Sequence, residues 1–161
     1  MLFDVDGVLT DGRLWYGPSG DTLKAFHTLD GHGLKMLAAS GVVTAILSGR
    51  SSSAVALRAS ELGIEHVLQG IEDKGAAFRK LLDSLGLAAE TTGYMGDDVV
   101  DLPVLRSCGL ACAPREAHEL VIAHAHYVAR AGAGAGAARE VCELLMRAQG
   151  TLDVALRRYA P

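Results

Sequence analysis

The chain has 161 residues, half of them apolar, with 15 basic against 19 acidic side chains and a formal net charge of −4. That balance excludes a disordered polar chain and supplies no basic field for nucleic acid, so small molecules are the expected partners. The length suits one domain that buries about two-thirds of its unfolded surface. No apolar run is long enough to cross a bilayer and no charged leader precedes the first acid, which predicts a cytoplasmic protein with no membrane contact. Cys108, Cys112 and Cys142 form an odd, sparse set in apolar surroundings and read as buried reduced thiols, consistent with that compartment.

In chain order, Met1-Leu2-Phe3 reads as an apolar strand running into Asp4-Val5-Asp6-Gly7. Three residues are fewer than a usual central strand holds, which points to further residues upstream of Met1. Arg13–Tyr16 and Thr22–Phe26, joined through the turn-forming cluster Gly17-Pro18-Ser19-Gly20-Asp21, predict a protruding β-hairpin over 13–26. A helix follows from Asp30, taken as its N-cap, to Ser40, with Gly41 as its stop. Val42–Leu47 is a continuous apolar, β-branched run of the kind that marks a strand covered on both faces, and it ends at Ser48-Gly49-Arg50.

The alternation continues with a helix over 52–62, a strand at 66–68, a helix from Asp73 to Leu85 closed by Gly86, and a strand at Tyr94-Met95. Then come a helix over 98–106, a strand at 109–112, a helix over 115–124, a short strand at Tyr127-Val128 and a helix over 138–148. Strand and helix taking turns predicts an α/β fold, a doubly wound three-layer parallel sheet. Ligands bind such sheets at the carboxyl ends of the strands, which is where Asp4, Ser48 and Asp97 fall.

Two acids spaced as Asp4 and Asp6 suit covalent phosphoryl transfer: one carboxylate can attack, and its neighbour can move protons for the leaving group and then for water. With 11 Asp and 19 Gly in the chain, Asp-x-Asp-Gly would arise by chance about 0.1 times, so alone it is a modest signal. The second cluster, Gly96-Asp97-Asp98-Val99-Val100-Asp101, would arise about 0.006 times, which makes chance a poor explanation of both. A lone Lys is ordinarily a solvated surface residue and a Ser before Gly ordinarily serves a turn. Beside the acidic clusters, Lys74 at a helix start and Ser48 at a strand end become candidates for holding a phosphate.

These motifs together resemble the haloacid dehalogenase superfamily, whose four signatures stand in order as Asp4-Val5-Asp6-Gly7, Ser48, Lys74 and Gly96–Asp101. The resemblance implies a Rossmann-like fold, Asp4 as nucleophile and Asp6 as general acid and base. It also implies Ser48 and Lys74 on the phosphoryl oxygens, and Mg²⁺ held by Asp4, the Asp6 carbonyl and Asp97. A hard cation of that kind suits an all-oxygen site. Asp98 and Asp101 read as supports that fix Lys74 or metal-bound water.

A closer likeness, carried by Asp4–Gly12, Phe26–Gly33, Ser48-Gly49-Arg50 and the late run Gly132–Glu140, is to the 3-deoxy-D-manno-octulosonate 8-phosphate phosphatases of lipopolysaccharide synthesis. It implies a sugar-acid phosphate as substrate, no cap domain, and a homotetramer whose hairpins and C-terminal segments cover neighbouring sites. Gly49 and Arg50 become the substrate-binding candidates, since guanidinium binds carboxylate bidentately. Leu29 departs from the Arg of many relatives, and the tail 151–161 follows no pattern of theirs. Two other readings stay open on the sequence: a phosphatase of a nine-carbon sialic-type acid 9-phosphate, and a non-catalytic binding module on the same fold.

Overall fold

A computed structural model describes residues 1–18, 22–157 and 159. Six parallel strands form one sheet: β1 (Leu2–Phe3), β4 (Ala45–Leu47), β5 (His66–Leu68), β6 (Gly93–Met95), β7 (Leu110–Ala113) and β8 (Tyr127–Val128). Their spatial order is β5-β4-β1-β6-β7-β8. The chain runs outward from β1 through β4 to β5, then returns to the other side of β1 at β6. Winding therefore reverses beside β1, and the crevice at such a switch point is where an open α/β sheet receives its ligand.

The four central strands are buried on both faces and the edge strands β5 and β8 are half-buried, and side chains alternate between two cores with the period of two that a pleated strand imposes. Phe3, Ile46, Met95 and Cys112 point to one side, into a core shared with Leu34, Leu37, Val55, Val141 and Met146. Those partners come from α1 (Thr28–Ala39), α2 (Ser53–Leu62) and α6 (Ala137–Ala148). Leu2, Ala45, Leu47, Tyr94, Ala111 and Ala113 point to the other side and meet Phe78, Leu82, Val104, Leu105 and Val121. These belong to α3 (Lys74–Leu85), α4 (Leu102–Leu105) and α5 (Glu119–His124). The three-layer, doubly wound arrangement expected from the sequence is thus present. The three cysteines are buried and unpaired. Among the described residues no helix is long and apolar enough to cross a membrane.

Element boundaries differ from expectation in instructive places. Only Ala45–Leu47 of the apolar run 42–47 is strand, and Val43 is exposed. The segment expected as a helix over 98–106 opens with a 3-10 turn, Val99–Asp101, before α4, and the segment expected over 115–124 becomes helical only at Glu119. α1 is capped by His27, whose ring nitrogen accepts from Leu29 N, not by Asp30. Asp30 lies inside the first turn, buried, and accepts backbone N–H groups of Gly136 at 3.2 Å and Arg139 at 2.8 Å. It therefore caps α6 across more than a hundred residues, a partnership that local spacing does not show.

The same contacts order the Gly/Ala run before α6. Gly134 N donates to Val8 O at 2.9 Å, so this run packs against the loop that follows β1 and is not a free linker. The tail forms a helix the sequence did not announce, α7 (Leu152–Arg157), with Leu152 buried and Ala155 and Leu156 packed on the core. Beyond it Tyr159 meets His32 edge to face, with its hydroxyl 2.9 Å from Nε2. Arg158 lies outside the described residues. The hairpin is present as β2 (Trp15–Tyr16) paired antiparallel with β3 (Thr22–Leu23), and residues 19–21 of its expected turn lie outside the described residues.

Asp30→Ala should leave two part-buried backbone donors without their acceptor, at a cost of about 1–3 kcal/mol and roughly 3–8 °C in melting temperature. Thermal unfolding of the variant against the wild type checks this, and an unchanged melting point would show that α6 does not depend on the Asp30 cap.

Candidate active site

The carboxyl ends of β1 and β6 bring Asp4 and Asp97 to the switch point. Asp4 follows Phe3 directly and its N–H donates to Met95 O at 2.9 Å, tying it to the neighbouring strand. Gly7 then turns the chain with a φ of +85°, and a Cβ there would stand 2.0 Å from Asp97 Oδ2. A side chain at position 7 would thus collide with the second acid. At the end of β6, Gly96 serves a similar need: an added Cβ would lie 2.6 Å from the side chain of Asp101, which folds back over it.

Asp101 is fully buried and fully used. Its Oδ1 accepts from Lys74 Nζ at 2.6 Å and from the Tyr94 hydroxyl at 2.6 Å, and its Oδ2 accepts backbone N–H groups of Asp97 at 3.0 Å and Asp98 at 3.2 Å. Lys74, also buried, reaches Asp4 Oδ1 at 3.0 Å. It enters at the first residue of α3, where Asp73 caps the helix by accepting from Ala76 N. Burial alone would lower the Lys74 pKa, but the Asp4 and Asp101 carboxylates outweigh it and hold the ammonium above its ordinary value.

Oxygens of Asp4, Asp97 and Asp101 gather within 4.8 Å of one another. Since Asp101 is saturated by four donors, the oxygens left for a cation are those of Asp4 and Asp97. Burial, then the charge of Asp101, raises Asp4 to about 6, with Lys74 only partly offsetting the rise. Burial, then Asp101, Asp4 and Asp98, raises Asp97 to about 7. Three carboxylates against one ammonium leave two negative charges, and an all-oxygen donor set of that charge fits a hard divalent cation such as Mg²⁺.

Asp6 is engaged on one side only. Lys24 Nζ ion-pairs with its Oδ1, and Thr10 Oγ1 stands 3.5 Å from the same atom. Among the described residues its Oδ2 is buried with no hydrogen-bond partner, and Arg50 Nε lies 3.9 Å from it. A cavity of about 230 Å³ is lined by Asp4, Asp6, Ser48, Gly49, Arg50, Lys74, Asp97, Asp98 and Val100. It gathers every site residue the sequence singled out except Asp101, which supports the cavity from behind. Ser48 is buried, its hydroxyl accepting from Arg50 N at 3.4 Å, and Arg50 Nη2 donates to Tyr16 OH at 3.3 Å.

Asp98, expected with Asp101 to fix Lys74 or metal-bound water, lines the cavity. It is exposed and caps the 3-10 turn by accepting from Val99 N at 2.7 Å, whereas Asp101 is the support that reaches Lys74. Two residues escaped sequence reasoning. Tyr94 reads as an apolar strand residue, and nothing local announces that its hydroxyl, whose pKa burial and then Asp101 push well up, completes the Asp101 network. Lys24 reads as an ordinary charged residue on a hairpin.

The family pattern of the haloacid dehalogenase-like hydrolases matches residues 60–140, and with the relatives below it places the chain in that family, to which it belongs. The chain is 46% identical over 155 residues to the 3-deoxy-D-manno-octulosonate 8-phosphate phosphatase KdsC of Escherichia coli K12, covering 96% of this chain and 82% of that protein. Among solved structures, a probable YrbI family phosphatase from Pseudomonas syringae superposes with a TM-score of 0.97 at 54% identity, covering 99% of this chain and 91% of that one. The 3-deoxy-D-manno-octulosonate 8-phosphate phosphatase of Moraxella catarrhalis, in complex with a magnesium ion, a phosphate ion and a KDO molecule, superposes with a TM-score of 0.96 at 40% identity over 98% of this chain and 91% of that one.

The raised acids have a consequence for stability. Asp4 and Asp97 bind protons more tightly folded than unfolded, so their contribution to stability is fully present below the ordinary carboxylate range and is lost as pH rises through about 6 and about 7. In chelator, the wild-type melting temperature should fall relative to an Asp97→Asn variant between about pH 5 and pH 7.5, and Mg²⁺ should abolish the difference in slope. Parallel curves in chelator would show that the two carboxyls do not oppose each other's ionisation.

Proposed function

We propose that this protein is a Mg²⁺-dependent phosphomonoesterase that hydrolyses 3-deoxy-D-manno-octulosonate 8-phosphate to the free sugar acid and phosphate. The observation that carries the reading is the constellation at the switch point: Asp4 beside Lys74, Asp97 across from it, and Asp6, one of whose oxygens has no hydrogen-bond partner among the described residues, lining the same cavity. Similarity across nearly the whole chain to phosphatases of that substrate supports it.

In this mechanism Asp4 attacks the phosphorus through a carboxylate oxygen, forming an acyl phosphate as the bond to the sugar's C8 oxygen breaks. Asp6 gives its proton to the departing oxygen. A water molecule then attacks the acyl phosphate, Asp6 takes a proton from it, and phosphate leaves with Asp4 restored. Lys74 and the Ser48 hydroxyl hold the phosphoryl oxygens, and Asp101 and Tyr94 hold Lys74 in place. When bound by Asp4, Asp97 and the Asp6 carbonyl, Mg²⁺ supplies positive charge that lets an anionic nucleophile approach an anionic phosphate. Gly49 and Arg50 at the cavity rim receive the sugar acid, with the guanidinium placed to pair with its carboxylate.

The ribbon carrying β2 and β3 exposes Trp15 by 60%, Tyr16 by 64% and Leu23 by 72%. An isolated two-stranded ribbon is marginal in water, and apolar side chains gathered on one are ordinarily covered. The reading includes a cytoplasmic homotetramer in which subunits cover these ribbons, with the single domain carrying no cap of its own.

Phosphate release from the sugar-acid phosphate tests the chemistry. Asp4→Asn should lose turnover altogether, Asp6→Asn should slow it by on the order of a hundredfold or more, and Ca²⁺ should replace Mg²⁺ poorly because its looser shell misplaces the nucleophile. Activity of Asp4→Asn near that of the wild type would sink the covalent mechanism. Sedimentation tests the assembly: the wild type should run as a tetramer, and Trp15→Asp combined with Leu23→Asp should shift it to smaller species, whereas a monomeric wild type would refute the covered ribbon.

A further inference from the structure

Asp6 has to present one carboxyl oxygen to a leaving group and then to water, and a short acidic side chain beside a glycine can rotate. What limits it here comes from outside the loop. The Lys24 side chain is only 1% exposed, although its backbone belongs to an exposed ribbon, and its Nζ is paired with Asp6 Oδ1. A lysine whose stem and ammonium are withdrawn from water in this way is seldom found without a partner. Its reach is inward, from the end of β3 to the loop after β1.

The two oxygens of Asp6 are thereby made unequal. Oδ1 receives Lys24 and stands near Thr10 Oγ1, while Oδ2 is buried and has no hydrogen-bond partner among the described residues, in a residue that lines the cavity. Arg50 Nε is 3.9 Å from Oδ2, too far for a hydrogen bond, and the Arg50 guanidinium is itself steadied by Tyr16 OH from the same ribbon. Lys24 does not line the cavity, and its burial keeps it from a ligand there.

We propose that Lys24 is the positioning residue of the general acid and base: it holds Asp6 by Oδ1 so that Oδ2 is the oxygen that exchanges protons with the leaving group and with water. The assignment rests on the phosphatase reading and on the place of Asp6 in it. Lys24 acts through Asp6 and touches neither phosphate nor sugar. A cation at this position also balances Asp6 each time it has given up its proton, at a point where the neighbouring charge is largely negative.

The test separates proton transfer from binding and from folding. An alkyl phosphate needs a proton on its departing oxygen, whereas 4-nitrophenyl phosphate releases a stable anion and does not. Single-turnover rates of phosphoenzyme formation are to be measured for wild type, Lys24→Met, Lys24→Gln and Lys24→Arg with Mg²⁺ and both substrates. The two neutral variants should form the phosphoenzyme from the sugar-acid phosphate on the order of ten- to a hundredfold more slowly, with KM little changed, and should lose no more than about threefold with the aryl phosphate. Lys24→Arg, which keeps the cation, should recover much of the loss. In an Asp6→Asn background Lys24→Met should cost little more, because its partner is already disabled.

Two neutral variants of different shape guard against one that merely fails to fold, as does the retained rate on the aryl substrate. Equal losses on both substrates, a change confined to KM, or full additivity with Asp6→Asn would overturn the assignment while leaving an active wild-type phosphatase intact. A wild type inactive on both phosphates would instead overturn the phosphatase reading, and the role of Lys24 with it.

Discussion

The site is built around negative charge that the protein does not neutralise by itself. Asp101 is satisfied by four donors, Lys74 is shared between Asp101 and Asp4, and Asp97 is left facing both acids. Two like charges about 4 Å apart repel by about 4 kcal/mol even at an effective dielectric constant near 20. A single ammonium cannot relieve three such acids. Burial and this repulsion together make the carboxyls of Asp4 and Asp97 hold their protons unusually tightly, and a second cation would favour the ionised forms of both.

Much of the fold serves to keep that opposition in place. Parallel strands end side by side, so Asp4 and Asp97 are set by main-chain pairing of β1 with β6 and not by their own side chains. The turn after β6 folds Asp101 back so that its carboxylate closes the backbone N–H groups of Asp97 and Asp98. Behind the β1 loop, Gly134 N on Val8 O and the Asp30 cap on α6 brace the segment that carries Asp6 and Gly7. Replacing the acids' neighbours with apolar residues would relieve the repulsion and improve packing, but it would also remove the reason to bind a cation. Stability is given up here for chemistry.

The hairpin joins two surfaces that are usually separate. Its outward side chains, Trp15 and Leu23, are apolar and exposed, while Lys24 and Tyr16 reach Asp6 and Arg50. A ribbon of two short strands has little rigidity of its own. In the proposed assembly, a subunit that covers its apolar face would also steady the side chains through which it holds Asp6 and Arg50.

The sequence by itself determined the alternation of strands and helices, the three-layer class, and the acids Asp4, Asp6 and Asp97, because these depend on short-range periodicity and on motif spacing within a few residues. It also placed Lys74, since Asp73 caps its helix locally. What only the tertiary structure decided are the partners: Asp101 and not Asp98 for Lys74, 27 residues away; Lys24 for Asp6, 18 residues away; and Asp30 for Arg139, 109 residues away. Such pairings follow from which strand ends and loops the sheet brings together. A polar side chain in an apolar strand, such as Tyr94, or on a turn-rich ribbon, such as Lys24, carries no local mark of the distant group it will meet. Burial selects the partner, because an unpaired charge or hydroxyl inside the fold costs more than the side-chain freedom lost in finding one.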